Sequence, residues 1–277
     1  MFESEKKEFL DSLKDFVKGL SDKISENDEW TVKGFIDIFK NIYTVSGDTK
    51  VISKILELQL FLYLKDFAVS IGYRIELAKY QNWYPDLTFV CVGNENIKFA
   101  VDLKTTYFTA NDHKFCNGFT LGSHGEYFID RTSSKNIQYP YGEYAGHFCL
   151  GIIYDRKQTE KTEEMKIYSE SELGDIPSVV GNFVFFAEEK WKIASDKSGS
   201  GNTANIGSIQ YVEDIINGNG VFAVAGEDKF DDYWANFGKI QIKKPDGTDK
   251  KMSCFKEYLE YKGLPESLNN SKKTKKK

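Results

Sequence analysis

The stretch Asp86-Leu87-Thr88-Phe89-Val90-Cys91-Val92, then Gly93-Asn94-Glu95-Asn96, then Ile97-Lys98-Phe99-Ala100-Val101-Asp102-Leu103-Lys104 reads as strand, turn and strand. In the second strand Ile97, Phe99, Val101 and Leu103 face one way, and Lys98, Ala100, Asp102 and Lys104 face the other. Asp102 and Lys104 therefore project from one face, about 6–7 Å apart. Asp86 opens the partner strand, at the end of the hairpin away from the turn. An odd-length turn sets it opposite Asp102 on that face, and an even-length turn sets it on the other. Two carboxylates and an ammonium converging at a sheet edge suit a hard divalent cation such as Mg²⁺. Such a cation activates water and neutralises charge gathering on a phosphate, which is what phosphodiester hydrolysis demands. A lysine beside it either stabilises that charge or helps position and deprotonate the water, and both roles stay open. The plain alternative is Asp86 as a turn residue and Asp102–Lys104 as a solvated ion pair.

Outward from this hairpin the chain keeps the mixed texture of an α+β protein. Residues 4–20 carry Phe9, Leu10, Leu13, Phe16, Val17 and Leu20 on one helical face. The apolar stretch Trp30–Tyr43 either closes a core or seals a dimer. Asp48 is a plausible N-cap for a long helix ending near Gly72, with Glu57 inside it. Tyr73–Leu77 alternates as a strand, and the almost wholly apolar Phe148–Tyr154 predicts a central one. Short strands follow near Phe183–Ala187 and Trp191–Ala194, and helices over 208–217, 228–238 and 251–262. Helices, then a meandering sheet, then helices favour an α+β domain. Residues 1–264 make one domain, and 265–277 a basic tail without fixed structure.

The bulk numbers narrow the chemistry. The total charge is −5, and the five lysines of the tail supply +5, so the rest of the chain carries −10. Any grip on nucleic acid must therefore be local and helped by a cation. Cys91, Cys116, Cys149 and Cys254 are scattered without zinc-ligand spacing, and His113, His124 and His147 add no cluster. Reduced thiols, a charged N-terminus and no apolar run of about 18 residues predict a cytoplasmic protein outside any membrane.

Gln81-Asn82-Trp83-Tyr84-Pro85-Asp86, followed by Val101-Asp102-Leu103-Lys104-Thr105-Thr106-Tyr107, resembles the PD-(D/E)XK motif as EcoRV-like type II restriction endonucleases carry it. Ser46-Gly47-Asp48-Thr49-Lys50-Val51 leads to Glu57 at the family's spacing. Phe119-Thr120-Leu121-Gly122 and Lys135-Asn136-Ile137 also correspond. So does Lys190-Trp191 followed by Gly199-Ser200-Gly201-Asn202-Thr203-Ala204-Asn205-Ile206-Gly207-Ser208-Ile209. The likeness covers roughly residues 42–240.

The resemblance implies a restriction-endonuclease-like fold, a mixed central sheet flanked by helices, and an enzyme that hydrolyses double-stranded DNA at a short palindrome. It assigns Asp86 and Asp102 as Mg²⁺ ligands, Lys104 as the catalytic lysine, the Leu103 carbonyl as a further ligand, and Glu57, a helical acidic residue near the active site, as a further catalytic and metal-binding residue, with a plain helix-surface residue as its alternative. Gly199, Ser200, Gly201, Asn202, Thr203 and Asn205 would read the major groove, where Asn can pair with adenine and Thr can touch a thymine methyl. Gln81 and Asn82 would approach the minor groove, and Thr106, Tyr107 and Arg156 the phosphates. The family works as homodimers, whose two-fold symmetry matches a palindrome. The shared loop predicts 5′-GATATC-3′, cut bluntly at a readily kinked central TA step. A restriction enzyme of this kind also requires a host DNA methyltransferase, which need not touch it. Two departures stand out: Ala204 replaces a second loop threonine, and Tyr80 replaces the first of two glutamines. The rival readings are a PD-(D/E)XK nuclease with a repair or structure-specific task, a catalytically silent DNA-binding protein, or a binding module unrelated to DNA.

Overall fold

A computed structural model describes residues 2–157, 166–199, 204–243 and 247–271. Helix α1 (Glu3–Lys18) buries Phe9, Leu10, Leu13 and Val17 and stops at Gly19, before the short α2 (Leu20–Ile24). Strands β1 (Ser25–Glu26) and β2 (Glu29–Trp30) form a small hairpin. Strands β3 (Gly34–Ile36) and β4 (Ile42–Thr44) pair with each other in a separate sheet. The Trp30–Tyr43 stretch thereby divides. Trp30 and Ile42 are buried, whereas Phe35, Ile36, Ile38, Phe39 and Tyr43 are exposed, Ile38 by 90%.

The Asp48 side chain accepts the Lys50 and Val51 N–H groups at 2.8 and 3.2 Å, capping helix α3 (Thr49–Ser70). Strands β5 (Tyr73–Leu77), β6 (Leu87–Cys91) and β7 (Lys98–Tyr107) then form an antiparallel meander. After β8 (Thr120–Ser123), strand β9 (Gly146–Arg156) lies parallel to β7. Beyond β10 (Ile167–Tyr168), which joins β4, strand β11 (Val180–Glu189) runs antiparallel to β9. The main sheet has the order β1-β2-β11-β9-β7-β6-β5. The apolar Phe148–Tyr154 run therefore sits at its centre, buried on both faces.

One core packs α1 and α3 on the sheet, joining Phe9, Leu13, Leu56 and Leu60 to Phe99 and Val101. The other covers the opposite face, joining Ala100, Cys149 and Phe186 to Phe222, Trp234 and Phe255. The fold is α+β, with a mixed central sheet flanked by helices, as the sequence predicts.

The C-terminal third departs in detail. No strand covers Trp191–Ala194: a 3₁₀ turn, Lys190–Lys192, ends β11, and β12 begins at Ala194 (Ala194–Ser198). Within this turn Lys190 is buried, its ammonium 5.5 Å from the ring centre of Tyr141, a residue of the second core. Strand β13 (Asn205–Ser208) delays the next helix to α4 (Val212–Ile216). Helix α5 (Glu227–Asn236) falls where the apolar spacing puts it. The hairpin β14 (Gln241–Lys243) and β15 (Asp249–Lys251) takes up the first residue assigned to the last helix, so α6 spans Phe255–Lys262. Structure also continues past 264. Leu264 and Leu268 pack on the second core, and Asn270 donates to the Asn219 and Gly220 carbonyls. Residues 265–271 thus belong to the fold rather than to a tail, and 272–277 lie outside the described residues.

Candidate active site

The register settles the condition that the sequence left open. Leu87 pairs with Val101 and Val90 with Lys98, so the odd-numbered span 91–97 closes the hairpin. Asp86 consequently falls beside Asp102. Strand β6 begins at Leu87, so the edge of β7 beyond Val101 has no strand on that side. Asp86 caps this open edge. Its N–H donates to Asp102 Oδ1 at 3.3 Å, and its own Oδ2 accepts the Leu103 N–H at 2.8 Å. A strand residue presents its N–H and C=O to the same edge, so the Leu103 carbonyl lies on the Asp86 side as well.

Lys104 completes the cluster. Its Nζ stands 3.0 Å from Asp102 Oδ2 and 3.9 Å from Asp86 Oδ2. Burial opposes the Lys104 charge, but the two carboxylates outweigh it and raise its pKa. Burial, and then the Asp102 charge, pushes Asp86 up to about 6. A carboxylate pair that resists ionisation next to its neighbour is one that an added cation would relieve. Among the described residues no three His, Cys, Asp or Glu side chains gather as metal ligands. Two carboxylates and a backbone carbonyl still fit Mg²⁺, which commonly takes one or two carboxylates and fills its octahedron with water and phosphate oxygens.

Glu57 stands apart from this pair. Its carboxylate binds Lys54 at 2.6 Å on α3, and its charge acts on Asp86 only as a minor influence. Gln81 and Asn82 occupy the exposed corner of a turn closed by Trp83 N–H donating to the Tyr80 carbonyl at 3.0 Å. Two residues later Tyr84 is buried. Tyr107 and Arg156 meet at the far end of β7 and β9, the guanidinium 5.0 Å from the ring centre. Thr106 is buried, and its hydroxyl donates to the Asn117 carbonyl at 2.6 Å.

Of the loop expected to read DNA, residues 200–203 lie outside the described residues, but its base is described. Strands β12 and β13 pair through Ser198 and Ile206, and the Gly199 N–H donates to the Asn205 carbonyl at 2.8 Å. A Cβ on Gly199 would come within 2.6 Å of Thr120 Cγ2, so the close approach to β8 requires glycine. Strand β8 pairs with β13 and ties this hairpin to the Phe119–Gly122 segment.

The residues that sequence reasoning missed lie beneath the carboxylates. Tyr84 Oη pairs with His147 Nδ1 at 2.9 Å, and His147 stacks on Tyr141 at 3.7 Å between ring centres. Burial, then the Lys190 charge, lowers the His147 pKa well below the usual value. Lys190 is itself buried, 5.2–5.6 Å from the ring centres of Tyr84, Phe128 and Tyr141. Tyr84 and Lys190 stood in stretches that match the family, the Gln81–Asp86 motif and the Lys190-Trp191 pair, but neither was singled out as a site residue.

The family model described as "Restriction endonuclease EcoRV" matches residues 26–263, more of the chain than the 42–240 seen in the motifs. The chain is also similar to the type II restriction enzyme EcoRV of Escherichia coli, with 39% identity over 224 residues. That alignment covers 80% of this chain and 87% of that enzyme.

Proposed function

Because the chain belongs to the EcoRV family of restriction endonucleases, we propose that it is a homodimeric, Mg²⁺-dependent enzyme that cuts 5′-GATATC-3′ bluntly at its centre. The observation that carries the reading is the convergence of Asp86, Asp102 and Lys104 at the open edge of β7. The Gly199–Thr203 segment, which resembles the family loop residue for residue, supports the target sequence.

Asp86, Asp102 and the Leu103 carbonyl would hold the cation, which supplies water activation and charge neutralisation at the phosphate. Lys104, kept charged by both carboxylates, suits a stabiliser of developing negative charge rather than a base. Asp86 orients the edge by fixing the Leu103 N–H, and Asp102 in turn fixes the backbone of Asp86. Glu57, on the helix above, would tune Asp86 electrostatically. Gln81 and Asn82 stand four residues or so from Asp86, so minor-groove contact would bear directly on the cation site. Arg156 and Tyr107 offer a cation and a hydroxyl for phosphate oxygens, whereas Thr106 would need its backbone, since its hydroxyl is already engaged.

The homodimer is supported by an apolar face of β3 and β4 that the described residues leave uncovered, where Phe35, Ile36, Ile38 and Phe39 are exposed beside Ile167 and Leu173. A cleft of about 990 Å³ opens there too, lined by Trp30, Gly34, Ile36, Ile42 and Leu173, away from the carboxylates. A second copy would bury this surface and bring two cutting sites to one palindrome.

The test is a Mg²⁺-dependent plasmid digest mapped by end sequencing. Blunt ends at the centre of GATATC are expected. Discrete cuts elsewhere overturn the loop transfer, and cutting without discrete bands favours a structure-reading nuclease. Retardation of a duplex in Ca²⁺ without cutting in Mg²⁺ favours a silent binding protein.

A further inference from the structure

Lys190 is 3% exposed, and its Nζ has no hydrogen-bond partner among the described residues. An unpaired buried ammonium costs several kcal/mol unless some charge offsets it. The nearby carboxylates are mostly spoken for. Glu189 binds Lys6 and Lys192, Glu188 binds Lys14 and Lys192, and Asp231 binds Arg131 at 2.7 Å. Among the described residues Asp86 and Asp102 share one ion-pair partner, Lys104, and the Lys190 ammonium lies 5.2 Å from the ring centre of Tyr84, two residues before Asp86. The Asp102 charge is the strongest influence holding the Lys190 proton against burial, which pulls its pKa down to about 8. The rings of Tyr84, Phe128 and Tyr141 surround the ammonium, with His147 behind them and the Arg131–Asp231 pair beyond. Gly122 borders the ammonium as well. A Cβ there would stand 3.5 Å from Nζ, and its φ of +92° disfavours any side chain.

We propose that Lys190 is a positioning residue of the cleavage site. Its ring-caged ammonium offsets the excess charge of the Asp86–Asp102 pair and limits how tightly the pair takes up a divalent cation. It acts through Asp102, not on the DNA, because the cage closes it off from solvent. The inference rests on the cation reading above and goes beyond it.

The experiment is calorimetric titration of Ca²⁺ into the full-length protein bound to a GATATC duplex, at pH 7.5. Lys190→Met and Lys190→Gln, which remove the charge, should bind Ca²⁺ about tenfold more tightly, as expected for one charge lost at several ångströms. Lys190→Arg, which keeps the charge, should stay within about threefold of the wild type. Folded neutral variants with unchanged or weaker Ca²⁺ binding overturn the proposal, since a purely structural lysine loosens the site when lost. In the wild-type protein the Lys190 ¹³Cε resonance, assigned by its disappearance in Lys190→Arg, should shift when Ca²⁺ is added. A resonance that does not move overturns the proposal even where the neutral variants fail to fold. A wild-type complex that takes up no Ca²⁺ overturns the cation reading and this inference together. Uptake abolished by Asp102→Ala but indifferent to Lys190 overturns this inference alone.

Discussion

The edge of β7 and the outer face of β3 and β4 are both surfaces left open by the fold, and they are finished in opposite ways. At β7 the missing strand is replaced by the chain's own polar atoms. Asp86 takes the Leu103 N–H, Asp102 takes the Asp86 N–H, and Lys104 sits against both carboxylates. At β3 and β4 nothing among the described residues covers Phe35, Ile38 or Phe39. A surface that satisfies itself is ready for a small ion and a phosphate. One that leaves large apolar side chains in water is ready for another protein surface.

Breaking each surface should give distinct failures. Asp102→Ala removes a proposed cation ligand and is expected to lower cleavage by at least about a thousandfold. It also strands two hydrogen-bond donors, at a cost of about 1–3 kcal/mol, while the fold persists. A plasmid assay beside a melting curve checks both, and wild-type cutting by this variant sinks the mechanism. The double change Ile38→Asp with Phe39→Asp should leave the carboxylate cluster intact but halve the sedimenting mass and abolish double-strand cutting. A dimer that survives it places the interface elsewhere.

Subtler changes sharpen the contrast. The Asp86 carboxyl has a folded pKa of about 6, above its ordinary value. Its protonated form therefore favours the folded state, and that contribution is lost as pH rises from about 4 through 6. Asp86→Asn should gain on the wild type by about 1–2 kcal/mol between pH 4 and pH 8, a figure reduced because the side chain is partly exposed. Denaturant titrations without divalent ions at both pH values measure it, and a constant difference would remove the burial explanation. The smallest effect belongs to Glu57→Gln, expected to slow cleavage less than about tenfold, because Glu57 touches Lys54 rather than the pair. A loss as deep as that of Asp102→Ala would make it a direct ligand.

Much of this was legible in the residues. Alternation over Ile97–Lys104 predicted the inward face of β7, and Asp48 capped its helix as its side chain dictates. The face that carries Asp102 was legible, but not its burial. Ala100 and Asp102 look polar-side in sequence, yet they lie beneath Tyr84, Tyr127, Tyr141 and Phe186, which come from four separate segments. Lys190 was hidden for the same reason. A lysine after Glu188-Glu189 reads as surface, and only the turn that breaks β11 directs it inward. The strand placed over Trp191–Ala194 failed on that turn. Residues 265–271 were read as tail because their anchors, Asn219, Gly220 and Val221, are distant in sequence.

The hydrogen bond between Gly199 and Asn205 has a bearing on re-engineering. Both posts of the loop proposed to read DNA are fixed. β12 is held by Asp196, which accepts the Phe255 N–H at 3.0 Å, and β13 is held by β8. A library that varies residues 200–203 at constant length would leave both posts where they are, so stability and target choice can be selected separately. Each doubling of the insert would cost only about 0.6 kcal/mol in closure. New specificities can therefore be sought in longer loops without rebuilding the cutting edge.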